Sequence, residues 1–315
     1  CLAARPTTLS AIVRAQSKAD PTALALLAPQ QDVAWDYGTL EERSLQLAKG
    51  LRELGYTQGS VAVSTVPNTV ECLLLHLSLS HLGAALATVK DAEALGKLQG
   101  KANVLGAIVA EPGSWLATHE LKLPPVIADN GEAGGRLIAL DELLSAPADS
   151  AAEACTPESL LGSYGGAALT HAAAADLGEA AAARLEVAAA DRACVSITLC
   201  HAFGMGSAVG SALRRGAAVV LPAVGGIRGC GDPAQRASVT LDVLEATGAS
   251  VLFADSHTLK ALPEREGGAL PKLRTGVVKI GSGSDFLDVT HAVIGGAERP
   301  LEYAGTKLLA MGKRA

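Results

Sequence analysis

The sequence predicts an α/β protein made of two similar packed subdomains, each a mainly parallel sheet flanked by helices. Three observations predict this. Short runs rich in Val, Ala and Ile alternate with stretches of helical periodicity, at strand–helix–strand lengths. Glycines stand where most of those helical stretches should stop. The 315 residues are 49% hydrophobic and 18% charged, enough for about two globular cores.

In chain order, residues 5–36 read as a helix and a strand, with Leu9, Ile12 and Val13, then Leu24, Leu26 and Leu27, as the apolar positions. Thr39 and Glu42 predict a capping box. The helix behind them places Leu40, Leu47, Ala48, Leu51 and Leu54 on one face, and Gly55 stops it. Residues 60–66 read as a strand. Asn68 and Glu71 are expected to cap a helix carrying Leu73, Leu74, Leu77 and Leu79 to a stop at Gly83, and residues 84–89 form a second strand. This is a βαβ unit with parallel strands. Residues 104–110 and 125–128 read as strands, and 92–98 and 140–144 as short helices. Residues 145–158, rich in Ala, Ser, Pro and acids, read as a linker, so the first subdomain is assigned to 1–150.

The second subdomain, 151–290, repeats the alternation. Helices are expected over 172–185, over 207–215 with a stop at Gly216, and from Asp232–Pro233 to Gly248. Strands are expected over 193–199, 217–221, 250–253 and 277–280. Residues 291–315 read as a C-terminal tail.

Composition excludes several function classes. The formal net charge is −6 and no basic run occurs, so nucleic acid and anionic membrane surfaces are not expected partners. No apolar stretch reaches the roughly 18 residues of a membrane-spanning helix. Aromatic residues make up only 3%, so the core is built from Leu, Val and Ala. The six cysteines, at 1, 72, 155, 194, 200 and 230, show no C-x-x-C spacing and read as reduced, packed thiols. Cys194, Cys200 and His201 come nearest to a metal cluster, but strand and loop packing accounts for them, and no metal site is expected. A chain beginning with Cys1 fits a precursor that has lost an organelle transit peptide, which points to a mitochondrial location; the alternative is cytoplasmic.

The most informative stretch runs from Ser159 to Met205. Ser159-Leu160-Leu161 leads into Gly162, Ser163, Tyr164, Gly165, Gly166, Ala167 and Ala168, and Leu169-Thr170-His171 follows. Upstream stand Asp36-Tyr37-Gly38-Thr39-Leu40, Leu51-Arg52-Glu53-Leu54-Gly55, Gly59-Ser60-Val61-Ala62-Val63, Pro67-Asn68 and Gly83-Ala84. Downstream stand Cys200-His201-Ala202-Phe203-Gly204 and Leu273-Arg274. In order and spacing these resemble the N-terminal domain of the AMP-forming acyl-CoA synthetase superfamily over roughly residues 5–285.

The resemblance implies a phosphate-gripping loop between Ser159 and Thr170, where active members carry a longer Ser/Thr/Gly-rich loop ending in Pro-Lys-Gly. Here the loop is several residues short and has no lysine. Such a loop works by aiming N–H and hydroxyl donors at anionic oxygens beside a cation. Ser163, Gly165, Gly166 and Thr170 are therefore vestigial. His201, Phe203 and Gly204 match the turn that borders the family's acyl pocket, and are likewise expected to persist as structure. After Ile280 the chain reads Gly281-Ser282-Gly283-Ser284-Asp285, with no Tyr-Gly-x-Thr-Glu turn for adenine and magnesium, and the sequence ends about thirty residues further on. Lys307 and Lys313 read as solvated charges.

Other chemistries are weaker. Gly204, Gly206 and Gly210 miss the dinucleotide fingerprint by one position. Ser163, His171 and Asp176 lack a nucleophile elbow, and Gly281-Ser282-Gly283 has no better claim. The expectation is a non-catalytic accessory subunit, with no cofactor and no catalytic residue, among other protein subunits of a large assembly, such as the peripheral-stalk region of a mitochondrial ATP synthase. The alternatives are a residual acyl-CoA or nucleotide binder, and a ligase completed by a partner chain.

Overall fold

The computed structural model describes residues 6–128, 137–145, 154–164, 167–223 and 232–313. Its elements, in chain order, are α1 (Leu9–Ala19), β1 (Leu24–Ala28), β2 (Val33–Asp36), α2 (Tyr37–Leu54), β3 (Ser60–Ser64), α3 (Val70–Leu82), β4 (Ala85–Thr88), α4 (Ala92–Gln99), β5 (Asn103–Val109), β6 (Val126–Ile127), β7 (Ile138–Ala139), α5 (Leu140–Leu144), β8 (Leu160–Tyr164) and β9 (Ala167–Thr170). Then follow α6 (His171–Arg184), β10 (Arg192–Ser196), a π-helix (Ala202–Val209) running into α7 (Gly210–Arg215), β11 (Ala218–Val220), α8 (Pro233–Thr247), β12 (Val251–Asp255), α9 (Ser256–Ala261), β13 (Thr275–Lys279), β14 (Asp285–Leu287), β15 (His291–Ile294), β16 (Ala297–Pro300), β17 (Glu302–Tyr303), β18 (Thr306–Lys307) and β19 (Leu309–Gly312).

The chain divides into two compact units that interleave: 1–23, 36–67 and 71–175 form the first, and 24–35, 68–70 and 176–315 the second. The expected boundary at 150/151 thus differs from this division. Strand β8 pairs in parallel with β4, and β9 pairs with β8, so the segment expected to open the second subdomain completes the first unit's sheet. That sheet runs β7-β6-β5-β3-β4-β8-β9, parallel except for the last pair. Its core gathers Val61, Val63, Ala85, Val89, Leu95, Val104 and Val109, the apolar runs read from the sequence.

Helix α2 has its expected apolar face, with Leu40, Leu47 and Leu51 fully buried. It starts earlier than the capping box predicts. Asp36 is the N-cap, and its Oδ1 accepts the Thr39 N–H at 2.7 Å. Helix α3 is buried almost all round, and with the apolar residues it carries His76, Ser78, Ser80 and His81 into the interior. The Asn68 side chain accepts from Leu199 N at 2.8 Å and donates to Ile197 O at 2.5 Å, fastening the segment after β10.

The second unit holds the sheet β14-β19-β13-β12-β10-β11-β1-β2. Strand β1 joins it in parallel with β11, Leu26 beside Val219. Residues 291–315 are not a tail among the described residues, because β19 inserts parallel to β13 and antiparallel to β14. Asp232 caps α8 through Oδ1, which accepts from Ala234 N and Gln235 N at 3.0 Å, and Pro233 follows at the first helical position, both as the sequence predicts.

Candidate functional site

In the first unit, the vestigial loop is a hairpin. Tyr164 pairs with Ala167, so only residues 165–166 separate β8 from β9. Gly165 and Gly166 themselves lie outside the described residues, as do Cys1 and Cys230. On both sides of those two residues the backbone runs in strand pairing, with Ser163 opposite Ala168 on one side and Ala87 on the other. The Thr170 hydroxyl is committed to the first turn of α6, where it accepts from Ala173 N at 3.2 Å. His171 is 1% exposed, and its Nδ1 accepts the Leu9 N–H at 3.2 Å, anchoring α1. Its Nε2 has no hydrogen-bond partner among the described residues, so neither Ser163 nor Asp176 completes a catalytic triad with it.

Beside this hairpin lies a cavity of about 560 Å³. Its floor includes Ala87, Ser163 and Ala168, one row across β4, β8 and β9. One wall is the α4 flank bearing Ala94, Lys97 and Leu98, with Lys101 in the turn after that helix and Lys90 just beyond β4. Two acids also line it. The Asp91 side chain caps α4 by accepting from Ala94 N at 2.8 Å, and Glu93 pairs with Lys97 at 2.6 Å. Reasoning from the loop alone missed these three lysines, because they sit some seventy residues upstream in sequence. Lys97 lies on α4 and Lys101 in the turn after it, so no single helical face in the sequence marks the group.

The second unit gathers polar groups at the carboxyl ends of its parallel strands, where open α/β sheets present their ligand crevices. His201 follows β10, Asp255 ends β12, and Lys279 ends β13. Burial holds the His201 pKa below the ordinary imidazole value; Lys279 adds to this, while its own backbone and Asp255 oppose it. His201 Nδ1 accepts from Gly204 N at 3.4 Å and caps the π-helix. Phe203 is buried against Phe253 with ring centroids 5.9 Å apart. A Cβ on Gly204 would fall on the Thr198 carbonyl, so only glycine lets the π-helix start this close to the strand end. The His201–Phe203–Gly204 turn therefore does structural work at each of its three positions.

Asp255 is occupied as well. It accepts from Thr258 N at 2.7 Å and Thr258 Oγ1 at 2.8 Å, and the Arg236 guanidinium meets both carboxylate oxygens at 3.3 Å. Lys279 donates to the Gly283 carbonyl, and burial lowers its pKa against a smaller lift from Asp285. Gly210 and Gly178 meet backbone to backbone, a Cβ on Gly178 lying 2.8 Å from Gly210 C, so this glycine serves helix–helix packing. Gly283 approaches Gly312 in the same way. Cys194 is buried in β10 with its thiol pKa raised by burial, and Cys200 Sγ lies 2.9 Å from Thr198 Oγ1. No group of three His, Cys, Asp or Glu residues among the described residues could hold a metal ion. No helix of the described residues is long and apolar enough to cross a membrane. Lys307 and Lys313 are exposed.

Comparison with known proteins places the fold. A family model described as AMP-binding enzyme matches residues 13–109, the segment carrying α1 to β5. The chain is similar to the N-terminal domain of FACL13 from Mycobacterium tuberculosis, with 18% identity and a TM-score of 0.68, covering 86% of this chain and 69% of that one. It is similar to MbtA of Mycobacterium smegmatis, with 18% identity and a TM-score of 0.68, covering 87% and 52%. It is also similar to the o-succinylbenzoate CoA synthetase of Bacillus subtilis, a structure in complex with the acyl-adenylate intermediate, with 16% identity and a TM-score of 0.67, covering 87% and 54%. The chain thus spans little more than half of these two last structures. No curated protein sequence matches it. The fold is that of acyl-CoA synthetase N-terminal domains, with two largely parallel sheets flanked by helices.

Proposed function

We propose that the chain is a non-catalytic scaffold on an acyl-CoA-synthetase-type fold, serving as an accessory subunit of a larger protein assembly. One observation carries this reading: the β8–β9 hairpin closes with two residues between Tyr164 and Ala167. A triphosphate must be met by several converging N–H donors and a cation. Here the flanking backbone is engaged in strand pairing, and the Thr170 hydroxyl is engaged in capping. The acyl-pocket turn keeps its shape through a cap, a core aromatic and a close backbone approach, none of which needs a substrate.

The finer form of the proposal is a mitochondrial assembly, the peripheral-stalk region of ATP synthase. It rests on a resemblance read from the sequence alone. Titration calorimetry with Mg-ATP tests the scaffold reading, which expects no saturable heat and no pyrophosphate release with acyl substrate and CoA. Tight ATP binding, or pyrophosphate release on adding native-source extract, defeats it; the second result favours a ligase completed by a partner chain. Gentle extraction from the source cells should find the chain in a large complex, and recovery as a lone monomer counts against the reading. A second reading, a residual acyl-CoA or nucleotide binder, is favoured by the lysines beside Ser163. Saturable binding of acyl-CoA without turnover separates it from the first.

A further inference from the structure

The second unit displays an unguarded strand edge. Among the described residues, the large hydrophobic side chains left exposed are Val293, at 73%, and Val289, at 43%. Val293 lies on β15 and Val289 just ahead of it. Strand β15 is amphipathic. Ile294 is buried and Ala292 packs against the same core, so His291 and Val293 point to the solvent side.

The hairpin turn fixes which backbone groups of β15 face outward. Gly295 and Gly296 both take positive φ and join β15 to β16 with two residues, so Ile294 and Ala297 form the first hydrogen-bonded pair. The bond from Leu301 N to the Thr290 carbonyl, at 2.8 Å, keeps that phase. His291 and Val293 therefore aim their N–H and C=O groups away from β16. On the opposite edge the corresponding positions are Pro300 and Glu298, and proline has no N–H. The β16 edge thus carries the charge and the proline that discourage strand pairing. The β15 side carries no Asp, Glu, Lys or Arg anywhere in residues 289–297. A Cβ on Gly295 would lie 2.6 Å from Lys260 Nζ, so that lysine guards the turn.

We infer that β15 pairs edge to edge with β15 of a second copy of this chain, antiparallel and two-fold symmetric about His291. The pattern Val289-x-His291-x-Val293 selects this occupant. It reads the same in both directions, as a contact between identical surfaces requires. Centred on His291, the pairing sets each Val293 opposite the Val289 of the other copy. A charged segment would find no counter-charge on this edge, whereas two uncharged edges meet without repulsion. The contact is short, so the association is weak and depends on concentration. It needs no nucleotide, no acyl group and no further subunit, so it stands or falls separately from the scaffold reading.

The test is sedimentation equilibrium of the full chain over a concentration series. The weight-average mass should climb toward twice that of the monomer. His291→Lys sets two like charges face to face at the axis, and Val293→Lys places a lysine on the open edge. Each should weaken association about tenfold. Register is read by cross-linking under mild oxidation. His291→Cys should form an interchain disulfide well beyond the parent's background, and Ala297→Cys, on β16, should not. Both positions are exposed, so neither variant endangers the fold. A mass that stays monomeric at every concentration, a dimer indifferent to both lysines, or cross-linking at Ala297→Cys equal to that at His291→Cys overturns the inference.

Discussion

Mild acid should loosen the first unit, well above the pH at which carboxylates protonate. Three of its histidines are buried and neutral: His76 at 2% exposure, His81 at 5% and His171 at 1%. Burial lowers His76 and His171 from 6.5 to about 4. His81 falls to about 3, through burial first and then Arg14. Geometry explains why His81 resists a proton. Arg14 Nη2 can only donate, so His81 Nδ1, 3.2 Å away, must accept. Its Nε2 then donates to Ser44 Oγ at 3.1 Å, and Ser44 donates to the Glu41 carbonyl at 2.8 Å. Neither ring nitrogen of His76 has a hydrogen-bond partner among the described residues. Its ring faces Gly162, and the Leu161 backbone and His171 are the neighbours that bear on its charge.

The sign follows from proton counts. Between the folded and unfolded pKa values the unfolded chain holds more protons, so stability is intact above pH 6.5 and falls as the pH drops below it. At pH 5 each histidine costs about 2 kcal/mol, and the three together about 6 kcal/mol. That is comparable to the roughly 5–15 kcal/mol that holds a domain folded. Urea unfolding followed by circular dichroism, from pH 7.5 to pH 5, should show the midpoint falling steeply. His76→Leu should remove about a third of that pH dependence while leaving stability at pH 7.5 level or higher, because it deletes an imidazole with no partner. A midpoint that stays flat over this range, or a His76→Leu slope equal to the parent's, refutes the reasoning.

Three further outcomes are expected. Asp191→Ala should cost about 2 kcal/mol in a thermal melt, since it removes the carboxylate that Arg274 Nη2 and Nε meet at 2.5 and 3.0 Å and releases Ser250 and Ala188 N, while Arg274 keeps the Leu185 and Glu186 carbonyls. The Asp191 pKa is lowered, its Arg274, Ala188 and Ser250 hydrogen bonds outweighing burial, so its contribution is present above pH 3.8 and lost below it, a window distinct from that of the histidines. Gly204→Ala should destabilise by about 2–4 kcal/mol, read as a lowered urea midpoint, because the methyl group has the Thr198 carbonyl in its place. Thr170→Ala should cost about 1 kcal/mol through the lost α6 cap and leave Mg-ATP heats unchanged; a change in those heats would return Thr170 to a nucleotide role.

Much of the architecture was legible locally. The β3–α3–β4 unit follows from Val61, Ala62 and Val63, the Leu-rich helix and the Gly83 stop, because strand and helix periodicities are properties of short windows. The Asp232–Pro233 start of α8 is equally local. What escaped depends on distant partners. Nothing near Leu24–Ala28 announces that β1 joins a sheet beside Val219, and nothing in residues 291–315 announces that β19 slots beside β13. The π-helix at Ala202–Val209 keeps apolar spacing close to that of an α-helix, so a plain helix over 207–215 was the nearest local description. At the candidate site, the shortened loop was visible in the residues themselves. The lysine-rimmed cavity was not, because α4 and the β8–β9 hairpin are brought together only by the sheet order.

That Leu26 pairs with Val219 has a bearing on biosynthesis. During translation the β1 segment emerges well before β11, with apolar side chains and open hydrogen-bonding edges, and must wait for that mate. Such delayed pairing slows folding and leaves sticky nascent surface exposed. Production of this protein should therefore respond strongly to holdase chaperones that shield the β1 segment until residues 218–220 are made.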